Sequence, residues 1–100
     1  MTLEELESQT LVAPYVDIEA HLKRGAVFLI DESLVLCEVG LAIAHDQRAQ
    51  VEEWLNERLI VKASPLDLEQ WRKQKQFFKI LIVQPFVLAQ YFSALAPLSN

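Results

Sequence analysis

Apolar residues run almost unbroken through residues 77–92, FFKILIVQPFVLAQYF, where twelve of sixteen positions are apolar or aromatic and Lys79 is the only charge. A segment that is apolar on both alternating faces needs cover on both, from its own domain or from another copy of the protein. Residues 77–84 therefore read as a central strand. Pro85 has no N–H to give to a ladder, so it marks a bulge, a bend or a strand end. The segment from Phe86 to Phe92 is either a further strand, over about 86–90, or a short helix.

Upstream, residues 3–9 form a short acidic helix. Pro14 suits a first helical turn, and Tyr15, Val16, Ile18 and Leu22 give residues 14–24 an apolar stripe. Lys23 and Arg24 close that helix and complement its dipole, and Gly25 supplies the left-handed stop. Residues 26–30 are a short apolar strand. Residues 34–44 read as a longer one, with Val35, Cys37, Val39, Leu41 and Ile43 on one face, and the polar turn at 31–33 makes the two an antiparallel hairpin. Helix is the competing reading of 34–44, because Leu and Ala favour it and only Gly40 breaks it. Asp46 caps a helix over about 46–58, carrying Val51, Trp54, Leu55 and Leu59 at helical spacing. Residues 60–62 fit a brief edge strand. Ser64, Pro65 and Asp67 open a helix over about 65–75, whose basic end suits a C-terminus.

These elements predict an α+β fold: one two-layer domain over residues 1–100, a mostly antiparallel sheet of three to four strands, three to four helices, and a frayed tail at 97–100. One hundred residues is the size of one domain. An apolar content of 52% is high for a chain that buries only about two-thirds of its unfolded surface. Partner burial, most often as a symmetric dimer, resolves that surplus. No apolar stretch reaches the roughly 20 residues of a spanning helix, the first residues do not resemble a signal peptide, and a lone Cys37 gives no disulfide framework. The expected compartment is the cytoplasm.

Charge is uneven. Residues 1–57 hold twelve acids against Lys23, Arg24 and Arg48, a net −9, while residues 58–100 hold six basic residues against Asp67 and Glu69, a net +4. A net charge of −5 argues against nucleic acid, although Arg72, Lys73, Lys75 and Lys79 lie among Trp71, Phe77 and Phe78.

The blocks EVGLAIAHD (residues 38–46), VEEWL (51–55) and LIVQPFVLAQ (81–90), in this order and at this spacing, resemble a family of short bacterial proteins of unknown function, the one numbered 2288. The resemblance covers roughly residues 3–92. It implies a free-standing bacterial cytoplasmic domain, and no activity, cofactor or substrate.

Candidate chemistry is sparse. Cys37 and His45 are eight residues apart, beyond hydrogen-bond reach on a strand or a helix, and a lone thiol on an apolar face is most simply a small hydrophobe. Asp17 with His21, and His45 with Asp46, fall short of a metal motif, and two glycines cannot build a phosphate loop. Glu38 interrupts an apolar face, where burial would raise its pKa and make it a general base. Gln84 and Gln90 are amides inside the apolar block, able to hold a ligand or a symmetric partner.

The leading expectation is a self-associating interaction or regulatory module, without catalysis, cofactor or metal, that dimerises through residues 77–92. The alternative is a small-molecule site, or an enzyme, around Glu38, Trp54 and Gln84. Candidate binding or interface residues are Glu38, Trp54, Gln84, Phe86, Gln90 and Phe92.

Overall fold

A computed structural model describes residues 2–92. Thr2 caps the first helix, α1 (Leu3–Gln9), by accepting the Glu5 amide at 3.2 Å while its hydroxyl donates to the Glu5 carboxylate. Strand β1 (Leu11–Pro14), a 3-10 turn (Tyr15–Ile18) and α2 (Glu19–Lys23) come after it. Next come β2 (Val27–Ile30), α3 (Leu36–Ala44), α4 (Arg48–Asn56), β3 (Ile60–Lys62), α5 (Asp67–Gln74), β4 (Phe77–Val83) and β5 (Phe86–Phe92).

The α+β class holds, but the described residues contain five strands and five α-helices. Strand order is β1-β4-β5-β2-β3, with β2 parallel to β5 and every other pairing antiparallel. The expected hairpin between residues 26–30 and 34–44 does not exist. β2 pairs with β3 and β5 instead, and residues 36–44 are helix. Leu36, Val39 and Gly40 recur at helical spacing and are buried, while Glu38 is exposed. Apolar residues on both alternating faces of 34–44 left period 2 and period 3.6 undecided. Gly40 does not break the helix. A Cβ there would lie 2.6 Å from Leu81 Cδ2, so the missing side chain lets α3 approach β4 closely.

Pro14 ends strand β1 rather than opening a helix, and strand 11–14 was not anticipated. Tyr15 N–H donates to the Gln76 carbonyl at 2.8 Å, which continues the β1–β4 ladder past Pro14 before the chain turns. Gly25 takes the left-handed conformation, φ +71°, at the end of α2. Asp46 does not cap α4. Its backbone is itself left-handed, φ 55°, and its carboxylate accepts from Arg48 Nε at 3.2 Å. Ser64 Oγ accepts the Leu66 amide and the Asp67 carboxylate accepts the Ser64 amide, as expected. But α5 begins at Asp67, so Pro65 lies in the turn before it and not at the first helical position. Residues 97–100, expected to fray, lie outside the described residues.

The 77–92 block is the β4–β5 hairpin, in register from Phe77 opposite Phe92 to Val83 opposite Phe86. Its turn runs through a cis Gln84–Pro85 bond. Pro85 sits in that turn, where no ladder needs an N–H, and this is why the apolar run folds back as two strands. Helices of the same chain pack on both faces, so three layers replace the expected two. On one face Phe78, Ile80, Val87 and Ala89 pack with Ile18, Leu22 and Trp71 from the 3-10 turn, α2 and α5. On the other Leu81, Val83 and Leu88 pack with Leu6, Leu36 and Val39 from α1 and α3, and Trp54 of α4 leans against them.

Candidate functional site

Helix α4 is the least covered element of the second face. Its apolar stripe, Val51, Trp54 and Leu55, faces the protein, yet none of its residues is fully buried. Between α4, the end of α3 and the sheet lies an open groove of about 320 Å³. Phe28 of β2 and Phe86 of β5 form its floor, edge to face with ring centres 5.5 Å apart. Ile43, Val51 and Leu55 make its walls. Leu55 is 42% exposed and Phe86 36%, high values for large apolar side chains around a shared concavity. The rim is charged: Arg48 pairs with Asp46 at 3.2 Å, and Glu52 makes no ion pair among the described residues.

Of the six residues singled out from sequence, Phe86 lies in this groove. Glu38 is exposed in the first turn of α3, not buried in an apolar face, so it lacks the desolvation a general base needs. Gln84 is exposed in the hairpin turn. Trp54 packs beside the groove against the core and does not line it. Glu38, Trp54 and Gln84 thus do not converge on this cavity.

Gln90 is 7% exposed and holds the loop that leads into α3, donating from Nε2 to the carbonyls of Asp31 (2.9 Å) and Leu34 (2.8 Å). Phe92 ends β5, and its carbonyl accepts from Gln76 Nε2. Phe28, Ile43, Val51 and Leu55 were not nominated by sequence. The Val51–Leu55 spacing was visible there, but whether a neighbour covers such a stripe is not a local property.

Several other polar groups are engaged structurally. Cys37 is buried 3.5 Å from Thr10 Oγ1, which gives its own proton to the Leu6 carbonyl, so the thiol donates to Thr10. Arg24 donates to His21 Nδ1. Hydrogen bonds from the Ser33 side chain and then its backbone hold the Asp31 carboxyl below its ordinary 3.8. In a polar cleft of about 460 Å³ beside α5 and Tyr91, part of the lining is paired internally. Trp71 Nε1 donates to Tyr91 Oη, and Asp67 accepts from Ser64. Among the described residues no three His, Cys, Asp or Glu gather as a metal site, and no helix is long and apolar enough to cross a membrane.

The family described as Protein of unknown function (DUF2288) matches residues 2–91, and the chain belongs to that family. No curated protein matches the chain. Among solved structures, the NMR solution structure of PA1075 from Pseudomonas aeruginosa is similar, with a TM-score of 0.79 and 26% identity over 91% of this chain and 84% of that one.

Proposed function

We propose that this member of the family is a binding module without a catalytic centre, and that it works through the groove between α3, α4 and the Phe28–Phe86 floor. The observation that carries this reading is an apolar concavity, floored by two aromatic rings, left open to solvent between α4 and the sheet. Leu55 and Phe86 stay exposed although each has apolar neighbours within its own cavity. Surfaces of this kind, rimmed by polar residues, are where folded domains meet partners. The six nominated side chains supply no nucleophile or buried acid–base pair at the groove.

The test uses Nile red, an uncharged dye that brightens in apolar sites. Saturable binding to the native protein is expected, with loss in the variant Leu55→Gln, which keeps a good helix former at an exposed position. Equal binding by both proteins, with equal thermal stability, would remove the groove as the site.

Self-association is the second reading, and a different surface favours it. The 77–92 block itself is largely spent in the core, where Phe78, Leu81, Leu88 and Ala89 are fully covered within one chain. No charge occurs between Glu7 and Asp17, and Leu11 (56% exposed) and Ile82 (47%) lie on the same face near the β1 edge. Pro14 removes one donor from that edge, which limits strand addition and leaves side-chain contact as the driving term. Light scattering over a concentration series decides this reading: a dimer lost in Leu11→Lys supports it, and a monomer at every concentration ends it.

A further inference from the structure

Resting on the groove reading, we infer that its occupant is a basic amphipathic helix of another protein. Helix-in-groove recognition needs an apolar trough for anchors spaced along one helical face, and a surround that matches the charge of the opposite face. The trough is the Phe28–Phe86 floor with Val51 and Leu55 along one wall. The surround reflects how the chain sorts its charges between layers. Residues 2–10 carry Glu4, Glu5 and Glu7 and no basic residue. Residues 31–59 carry Asp31, Glu32, Glu38, Asp46, Glu52, Glu53 and Glu57 against Arg48 and Arg58. These two segments hold α1, α3 and α4, the helical layer on the groove's side of the sheet. With Lys62 and Lys79, which strand pairing puts on the same sheet face as Phe28 and Leu88, and without Glu32, which lines the cleft beside α5, that side carries a net −5.

The opposite layer is different. Residues 15–25 and 63–76, with Glu32 beside α5, carry Asp17, Glu19, Glu32, Asp67 and Glu69 against Lys23, Arg24, Arg72, Lys73 and Lys75, a net of zero. The acids of the groove layer are largely uncompensated. Among the described residues Glu38, Glu52, Glu53 and Glu57 make no ion pair, and the only described pair in that layer is Arg48 with Asp46.

This distribution selects among occupants. A second copy docked groove to groove would bring two faces of −5 together, a like-charge contact that suppresses pairing. A nucleic acid or an anionic membrane surface meets the same repulsion. A small apolar ligand escapes it, but sites for such ligands bury most of the ligand's surface, whereas this groove is open on its solvent side. A helix with leucine-like anchors on one face and Lys or Arg flanking them satisfies both the trough and the field. At the rim, Glu52 is placed to receive such a cation.

The experiment titrates the full chain, by calorimetry, with two synthetic 14-residue helices of identical leucine spacing, one with lysine and one with glutamate at the polar positions. The Leu/Lys helix is expected to bind with one-to-one stoichiometry, and its affinity to fall with added salt. Leu55→Gln should weaken it about tenfold as an anchor loss, and Glu52→Gln should weaken it several-fold and reduce the salt dependence. Equal binding of the Leu/Glu helix would overturn the charge selection while leaving the groove reading intact. Salt-sensitive binding untouched by Leu55→Gln would overturn the groove as the seat of the helix. Failure of both helices to bind, while Nile red still reports the groove, would overturn the helical occupant alone. Failure of helices and dye together would overturn the underlying reading.

Discussion

Gln90 offers a quantitative test of how the sheet fixes α3. Its amide is the buried polar side chain of the core, and its two donors go to the Asp31 and Leu34 carbonyls in the loop before α3. Asp31 O also accepts the Leu34 amide at 3.1 Å, so it keeps one partner if Gln90 is lost; Leu34 O has no other described partner. Gln90→Met retains size and removes both bonds. At about 0.5–1.5 kcal/mol net per bond, the expected loss is about 1–3 kcal/mol, toward the upper end because one carbonyl is orphaned. For a domain of this size that lowers Tm by about 4–8 °C per kcal/mol.

Gln90→Glu is expected to be worse at neutral pH. It faces two carbonyl oxygens with a carboxylate, leaving a buried charge without a donor, a defect of about 3–5 kcal/mol. The assay is urea unfolding followed through Trp54 and Trp71, with an unchanged slope showing that the unfolded state is not the cause. Amide exchange around residues 34–36 should quicken more than at β4, because the loop is what Gln90 holds. A Met variant within about 0.5 kcal/mol of the native protein would refute the reasoning, as would a Glu variant no worse than Met.

The same packing yields two further expected outcomes. Gly40→Ala places a methyl 2.6 Å from Leu81 Cδ2. Overpacking costs about 1–3 kcal/mol and the better helix propensity returns about 1, so a net loss of up to about 2 kcal/mol is expected in thermal unfolding. In a Leu81→Val background the Gly40→Ala cost should shrink, and a strictly additive double-mutant cycle would contradict the close approach. Asp31 titrates below its ordinary 3.8 because Ser33 donates to it. A carboxyl lowered in the folded state stabilises the fold above its unfolded pKa and loses that contribution as pH falls through the folded value. An NMR titration should therefore show the Asp31 midpoint below 3.8 and rising in Ser33→Ala; no change on that substitution would count against the assignment.

Some of this protein was determined by local sequence. α1, the stop at Gly25, the edge strand β3, the Ser64–Asp67 start of α5 and strand β4 are each set by residues within a few positions, because caps, left-handed stops and short apolar runs are local chemistry. The apolar 77–92 block called for cover on both faces, and helices pack on both, though Ile82 and Phe86 stay part-exposed. The blocks at 38–46, 51–55 and 81–90 were also enough to place the chain in its family.

Tertiary structure decided the rest. Residues 36–44 are apolar at both period 2 and period 3.6, and it is as a helix that they bury Leu36, Val39 and Ala42 and bring Gly40 against Leu81. The parallel pairing of β2 with β5 joins segments some 60 positions apart, which no nearest-neighbour pattern specifies. Gln90 and Phe86 were both candidate binding or interface residues of one segment. The fold sent the first inward to hold a loop and left the second on the floor of an open groove. Side-chain periodicity says that a surface is apolar. Which surface is left uncovered depends on how every other element is placed.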